Sequence, residues 1–90
     1  MAHSQRDKQK LLSRINRLKG QLGSAARLIE DEEECYKVLQ VLASCRGALN
    51  GLMGDMVDGH VQMHVVKART KRAASRAGRE VTEIMRSFWK

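Results

Sequence analysis

The stretch Cys35–His64, CYKVLQVLASCRGALNGLMGDMVDGHVQMH, decides the fold that the sequence predicts. Its apolar residues recur every three or four positions, which is the pattern of an amphipathic helix of about thirty residues. These residues are Val38, Leu39, Leu42, Cys45, Leu49, Leu52, Met53, Met56, Val57 and Met63. A helix this long in a small chain needs other helices along its whole length, including those of a second copy.

Two histidines lie near the end of this predicted helix. His60 and His64 are separated by roughly 6 Å along the axis and slightly more than one turn, so both imidazoles can face one metal ion. An ion needs further ligands, and the remaining soft donors are His3, Cys35 and Cys45. The same spacing also occurs in surface or interface histidines, so incidental histidines remain an alternative at this point.

The distance along the helix constrains any site that includes Cys35. If Cys35 and His60 share one continuous helix, 25 steps separate them by roughly 37 Å, which excludes a common ion within one chain. Two copies packed antiparallel would bring the Cys35 end of one beside the His60 end of the other. The predicted metal site is therefore intersubunit, with two such sites in a symmetric dimer.

A second long helix precedes the acidic run Glu30–Glu34, and Ser4 is its predicted N-cap. Its apolar positions, spaced to pack on another long helix, are Leu11, Ile15, Leu18, Leu22, Ala25 and Ile29. Lys10, Arg14 and Arg17 form a basic stripe on one exposed edge. The acidic run ends this helix and complements the N-terminus of the next.

The remaining segments complete a three-helix protomer with two long helices and one short helix. We expect residues 1–4 to form a flexible arm and residues 65–74 to form a basic linker, within a single all-helical domain spanning 1–90. The short third helix has an apolar face of Val81, Ile84, Met85 and Phe88, with Trp89 at the terminus. We also expect Cys45 to pack in the core, and three glycines to permit close backbone packing, namely Gly47, Gly51 and Gly54.

Composition narrows the function classes. The chain has 17 basic and 10 acidic residues, a net charge of +7, which suits a polyanion such as nucleic acid or an acidic membrane surface, although a merely solvated surface is an alternative. No apolar run reaches the ~20 residues of a membrane span and no signal peptide is visible, so we expect a cytoplasmic protein without a membrane partner. No nucleophile stands beside a base in the sequence and no pair of carboxylates lies in an apolar setting, so neither an enzyme nor a small-molecule substrate is predicted.

Three motifs together resemble one family. They are R-x-x-R-L-K-G-Q at residues 14–21, Cys35 at the start of the second helix, and A-x-C-R-G-A-L-N-G-L-M at residues 43–53 followed by His60. This combination is similar to the CsoR/RcnR family of small bacterial repressors, over essentially the whole chain. The resemblance implies an all-α protomer, an antiparallel four-helix-bundle dimer with intersubunit effector sites, a dimer-of-dimers homotetramer, and binding to double-stranded operator DNA.

Within that family, the effector follows a few ligand positions. The nickel- and cobalt-sensing RcnR type uses an N-terminal His together with Cys, His and His, and this chain has His3, Cys35, His60 and His64 in matching positions. The amine of Ala2, freed by removal of Met1, is a possible further ligand. One thiolate and three imidazoles, with this amine as the possible fifth ligand, suit Ni(II) or Co(II) in five- or six-coordination. The resemblance therefore implies a repressor that leaves its operator when it binds Ni(II) or Co(II), which derepresses metal efflux genes.

Other functions remain as alternatives. Copper-sensing and persulfide-sensing members have a cysteine where this chain has His64. Formaldehyde-sensing members share Cys35 and His60 but lack His64 and begin with proline after Met1. Outside the family, a basic helical architectural DNA-binding protein would carry its histidines incidentally. The DNA-binding residues supported by the resemblance are Lys10, Arg14, Arg17 and Arg46, although Arg46 could instead form an interhelical ion pair.

Overall fold

The computed structural model describes residues 5–88, and every regular element in that range is helical. Helix α1 spans Gln5–Glu30 and α2 spans Cys35–Val61, followed directly by a π-helical segment at Gln62–Val66. Helix α3 spans Lys71–Phe88 and is the shortest of the three α-helices. The all-α prediction is confirmed. The predicted arm at residues 1–4, the Ser4 cap and Trp89 lie outside the described residues.

The acidic run ends α1, as predicted, through a specific hydrogen-bond pattern. The backbone N–H of Glu33 donates to the carbonyl of Leu28 at 2.9 Å, and that of Glu32 donates to the carbonyl of Ile29 at 3.1 Å. This is a Schellman motif, which needs a left-handed residue after the helix. Glu32 supplies it with φ of 55°. The position usually taken by glycine is therefore held here by a β-carbon-bearing residue.

The chain divides into two compact units, with the boundary after Met53 inside α2. In the first unit, the buried residues are small or apolar: Ala25, Cys45 and Leu52. The Cys45 thiol lies 3.9 Å from Oε1 of Gln21, which joins α1 to α2, and the prediction that Cys45 packs in the core is confirmed.

The second unit contains the end of α2, the π-helical segment and α3, which contacts that segment. Thr70 caps α3, because its Oγ1 accepts a hydrogen bond from the N–H of Ala73 at 3.1 Å. The predicted linker at residues 65–74 is wrong in its bounds, since helical backbone continues to Val66 and resumes at Lys71. Alanines sustain the helix here by propensity, without the large apolar residues that make a helical period visible.

The predicted role of the glycines is wrong within the protomer. A β-carbon at Gly47 or Gly54 would meet no heavy atom within 4 Å, so no neighbouring backbone approaches either residue. At Gly51 it would lie 3.4 Å from Nη2 of Arg14, a side-chain atom. The three glycines therefore leave this side of α2 without side chains. Of the three, only Gly51 has a neighbouring group, the Arg14 guanidinium, next to the position that a β-carbon would occupy.

Large apolar side chains remain exposed along both long helices. On α1, Ile15, Leu22 and Ile29 recur at intervals of seven residues with 39%, 49% and 62% of their surface exposed. On α2, Leu39, Leu42 and Leu49 are exposed as well. A heptad stripe of this kind is typical of a helix that packs on further helices. None of the described helices is both long enough and apolar enough to cross a membrane.

Candidate functional site

The predicted histidine pair comes together at the junction of α2 and the π-helical segment. His60 belongs to the last turn of α2 and His64 to the π-helical segment. Their ring centroids are 4.9 Å apart and the ring planes are inclined by 50°. Two imidazoles that share one ion hold their binding nitrogens roughly 3–4 Å apart, because each metal–nitrogen bond measures about 2.1 Å. The observed ring separation is compatible with this requirement.

The backbone at this junction is unusual. The N–H of Lys67 donates to the carbonyl of Gln62 at 3.2 Å, the five-residue hydrogen bond of a π-helix. His60 and His64 are four residues apart, which is slightly more than one turn of an α-helix and slightly less than one turn of a π-helix. His64 therefore lies on the same side of the helix as His60. Single π-helical turns are rare and occur frequently at functional sites.

His60 carries an unsatisfied polar atom. Its Nε2 is buried and has no hydrogen-bond partner within the described part of the chain. A buried polar group without a partner is unfavourable by about 1–3 kcal/mol, so such a group usually binds an ion, a ligand or a water molecule. A neutral imidazole nitrogen is a good ligand for Ni(II), Co(II) or Zn(II). The donor chemistry and the unsatisfied nitrogen therefore fit a metal ion.

The histidine pair is not a complete metal site. Among residues 5–88, no three His, Cys, Asp or Glu side chains converge in a way that could hold an ion. Cys35 is exposed at the first residue of α2, and His60 belongs to the last turn of the same helix. His3 and Ala2 lie outside the described residues. The structure thus brings His60 and His64 together without Cys35, and the predicted ligand set stays a prediction.

A basic cavity adjoins the two histidines. It has a volume of about 470 Å³, and its charged lining consists of Lys67, Arg69, Arg76 and a single carboxylate, Glu80. The sequence analysis predicted a basic linker at residues 65–74 but did not associate its cations with His60 and His64. The bend at residues 69–70 is responsible, because it returns α3 toward the π-helical segment. No periodicity in the sequence reports that bend.

Two of the predicted DNA-binding residues share a groove in the first unit. Arg14 and Arg17 line a cavity of about 260 Å³ together with Gln21, and α2 contributes Gly47 and Gly51 to its other wall. Arg14 is half-buried, whereas Arg17 and Lys10 are exposed. The sequence analysis missed the role of Gly51, whose lack of a side chain leaves room for the Arg14 guanidinium.

Arg46 lies on α2 and its side chain is exposed. In the described part of the chain it forms no ion pair, whereas Lys37 pairs with Glu33 at 3.3 Å. The alternative role for Arg46, an interhelical ion pair with the acidic run, is therefore not found in the described part of the chain. An exposed guanidinium without an acidic partner is available to a phosphate group.

Comparison with known proteins decides the family. The family model described as metal-sensitive transcriptional repressor matches residues 7–89. This chain belongs to the CsoR/RcnR family. It is 42% identical over 66 residues to the transcriptional repressor RcnR of Escherichia coli strain K12, covering 73% of each chain. It is also 40% identical over 91 residues to an uncharacterized protein in the bioA 5′ region of Serratia marcescens, covering 100% of both.

Solved structures agree with this membership. A variant of the formaldehyde-responsive regulator FrmR from Salmonella enterica serovar Typhimurium superposes with a TM-score of 0.87 at 36% identity, covering 96% of this chain and 98% of FrmR. The nickel-responsive regulator InrS gives a TM-score of 0.74 at 26% identity, covering 98% and 99%. The copper-sensing repressor CsoR from Geobacillus thermodenitrificans gives 0.90 at 20% identity, covering 100% and 94%, which supports the fold alone.

Family membership establishes the broad function. CsoR/RcnR proteins are oligomeric DNA-binding transcriptional repressors and not enzymes, so the resemblance and the non-enzymatic class that we predicted are both confirmed. The relatives differ in effector, since their names cite nickel, copper and formaldehyde. The effector of this chain is therefore a separate question from its family.

Proposed function

We propose that this chain is a cytoplasmic Ni(II)- or Co(II)-responsive repressor that leaves its operator on metal binding and thereby derepresses metal efflux genes. The observation that carries the proposal is the histidine pair. The ring centroids of His60 and His64 lie 4.9 Å apart, and Nε2 of His60 is buried without a hydrogen-bond partner among the described residues. The similarity to the nickel-responsive regulator InrS supports nickel as an effector. Imidazole ligands also favour Ni(II) and Co(II) over Cu(I), which prefers thiolates.

The proposed site joins two protomers of an antiparallel dimer within a homotetramer. His60 and His64 of one protomer combine with Cys35 and His3 of another, and the Ala2 amine is a further candidate ligand. The uninterrupted course of α2 from Cys35 to Val61 supports this arrangement, because no ion can span a helix of that length. The exposed heptad stripe of Ile15, Leu22 and Ile29 supports the dimer, since a second copy would cover it.

These residues have distinct roles in the proposed mechanism. The ion supplies bonds that hold the ligands of two protomers together. His60 and His64 must be neutral and Cys35 a thiolate to act as ligands, so we expect metal affinity to fall with increasing acidity. Lys10, Arg14, Arg17 and Arg46 contact operator phosphates. Reciprocity requires that DNA weaken metal binding by the same factor by which metal weakens DNA binding.

A formaldehyde-responsive repressor is the second candidate. The observation in its favour is the 36% identity to the FrmR variant over 96% of this chain, together with the exposed thiol of Cys35. Under this function, His64 has no part in the response. The two candidate functions therefore make opposite predictions for the effect of replacing His64 on the release of DNA.

Operator binding measured by fluorescence anisotropy separates the candidates. A labelled duplex carrying the sequence upstream of the protein's own gene is bound by the tetramer and then titrated with Ni(II), Co(II), Zn(II), Cu(I) or formaldehyde. We expect release by Ni(II) or Co(II), lost in His64→Ala and retained in the matched control Gln62→Ala, an exposed neighbour. Release by formaldehyde alone, unchanged in His64→Ala, would establish the second candidate.

A further inference from the structure

The start of α3 and the bend before it form a uniformly basic surface. Residues 59–79 contain no acidic side chain, and six cations in that range are exposed: Lys67, Arg69, Lys71, Arg72, Arg76 and Arg79. None of the six forms an ion pair with the described residues, in contrast to Lys37 on α2. Their charge is therefore not neutralised by the part of the protomer that the structure describes.

Three of these cations follow one face of α3. Arg72, Arg76 and Arg79 are spaced by four and three residues, which places them within about 60° of arc on the helix. The packed residues of α3 include Ala77, buried, and Val81, half-buried, away from this row, and Arg76 also lines the cavity beside His60 and His64. Glu80 follows Arg79 directly and ends the purely basic stretch, and Glu83 lies one turn after Arg79 on the same face. We call Arg72, Arg76 and Arg79 the outer arginine row.

This arrangement is unfavourable for the isolated helix. Like charges three and four residues apart repel each other, and Lys71 and Arg72 place positive charge in the first turn, against the helix dipole. No acidic residue occurs in that turn to offset them. A polyanion bound along the outer face would turn both unfavourable effects into favourable ones.

We propose that the outer arginine row is a second phosphate-contacting surface, which binds the DNA backbone without regard to sequence and acts in addition to the basic residues of α1. The proposal rests on the proposed function only in that DNA is the ligand. DNA is favoured over a membrane surface, because the chain belongs to a family of DNA-binding repressors.

The salt dependence of DNA affinity tests the proposal. The triple variant Arg72→Gln, Arg76→Gln, Arg79→Gln is compared with wild type on the gene-upstream duplex and on an unrelated duplex, at several salt concentrations. Each lost phosphate contact lowers the slope of log affinity against log salt by about 0.9. We expect the slope to fall by about 2–3 for each protomer that contacts DNA, equally on both duplexes.

A charge-matched control removes three exposed cations elsewhere, as Lys19→Gln, Arg27→Gln, Lys37→Gln. Its slope should stay close to that of wild type, and circular dichroism should show that both triple variants keep their helices. An unchanged slope in the outer-row variant, with operator binding intact, would overturn this proposal and leave the repressor function standing. The proposal would also be overturned if the outer-row variant kept its DNA binding but lost binding to phosphatidylserine vesicles that wild type binds. Failure of wild type to prefer the gene-upstream duplex would count against the repressor function alone.

Discussion

The imidazole rings of His60 and His64 have their centroids 4.9 Å apart, although one belongs to α2 and the other to the π-helical segment. Both therefore come from one continuous stretch of helical backbone, and no tertiary contact is needed to bring them together. In the described part of the chain no third donor joins them. Under the proposed function, completion of a metal site depends on residues supplied from elsewhere, so metal binding would be sensitive to assembly.

Loss of His64 should weaken metal binding more than DNA binding. For His64→Ala we expect Ni(II) affinity to fall at least roughly 10-fold, since even changes next to metal ligands have effects of that size. Competition with a chromophoric chelator measures the affinity. Gln62→Ala, in the same π-helical segment, should bind Ni(II) like wild type. Equal affinities in the two variants would remove His64 from the site.

A charge on the exposed heptad stripe should prevent self-association. Leu22 has 49% of its surface exposed in the protomer, and Leu22→Glu would bury a carboxylate wherever a second copy covers it. We expect smaller species in sedimentation velocity at concentrations at which wild type self-associates. Ser13→Glu, exposed on another side of α1, is the matched control and should leave the assembly intact. An unchanged distribution for Leu22→Glu would exclude this stripe as an interface.

The left-handed residue after α1 offers a stabilising substitution. Glu32 has φ of 55°, a conformation unfavourable by about 1–2 kcal/mol for residues that carry a β-carbon. Glu32→Gly should therefore raise the free energy of unfolding by roughly 1 kcal/mol, measured by urea denaturation at fixed protein concentration. The adjacent Glu33→Gly should not stabilise, because the structure gives no positive φ at Glu33. A lower unfolding free energy for Glu32→Gly would contradict the assignment of the motif.

The N-cap of α3 should control the local stability of that helix. Thr70→Ala removes the acceptor of the Ala73 N–H and should destabilise α3 by about 1 kcal/mol. Amide hydrogen exchange would then be faster in the first turns of α3 than in α1. Thr70→Ser keeps an oxygen at the same position and should restore most of the protection. If α1 and α3 lost protection to the same extent, the cap would be acting on the whole chain.

Local features of the sequence predicted most of the fold. The apolar period of α1 and α2 and the acidic run between them are signals carried by neighbouring residues, and the structure places the helix boundaries there. The start of α3 was missed, because Ala73, Ala74 and Ala77 form a helix without a visible apolar period. The π-helical hydrogen bond at Lys67 was missed as well, since no residue type is specific to it.

The sequence by itself determined that this chain is an all-helical CsoR/RcnR protein with His60 and His64 on one side of a helix, because motif spacing and helical period are properties of contiguous residues. Only the tertiary structure decided that Lys67, Arg69 and Arg76 line a cavity beside those histidines, and that Gly51 faces the Arg14 guanidinium. These relations depend on how helices turn back on one another. The packing of one helix on another is determined by the sum of many weak contacts between residues far apart in sequence, so no short stretch of sequence predicts it.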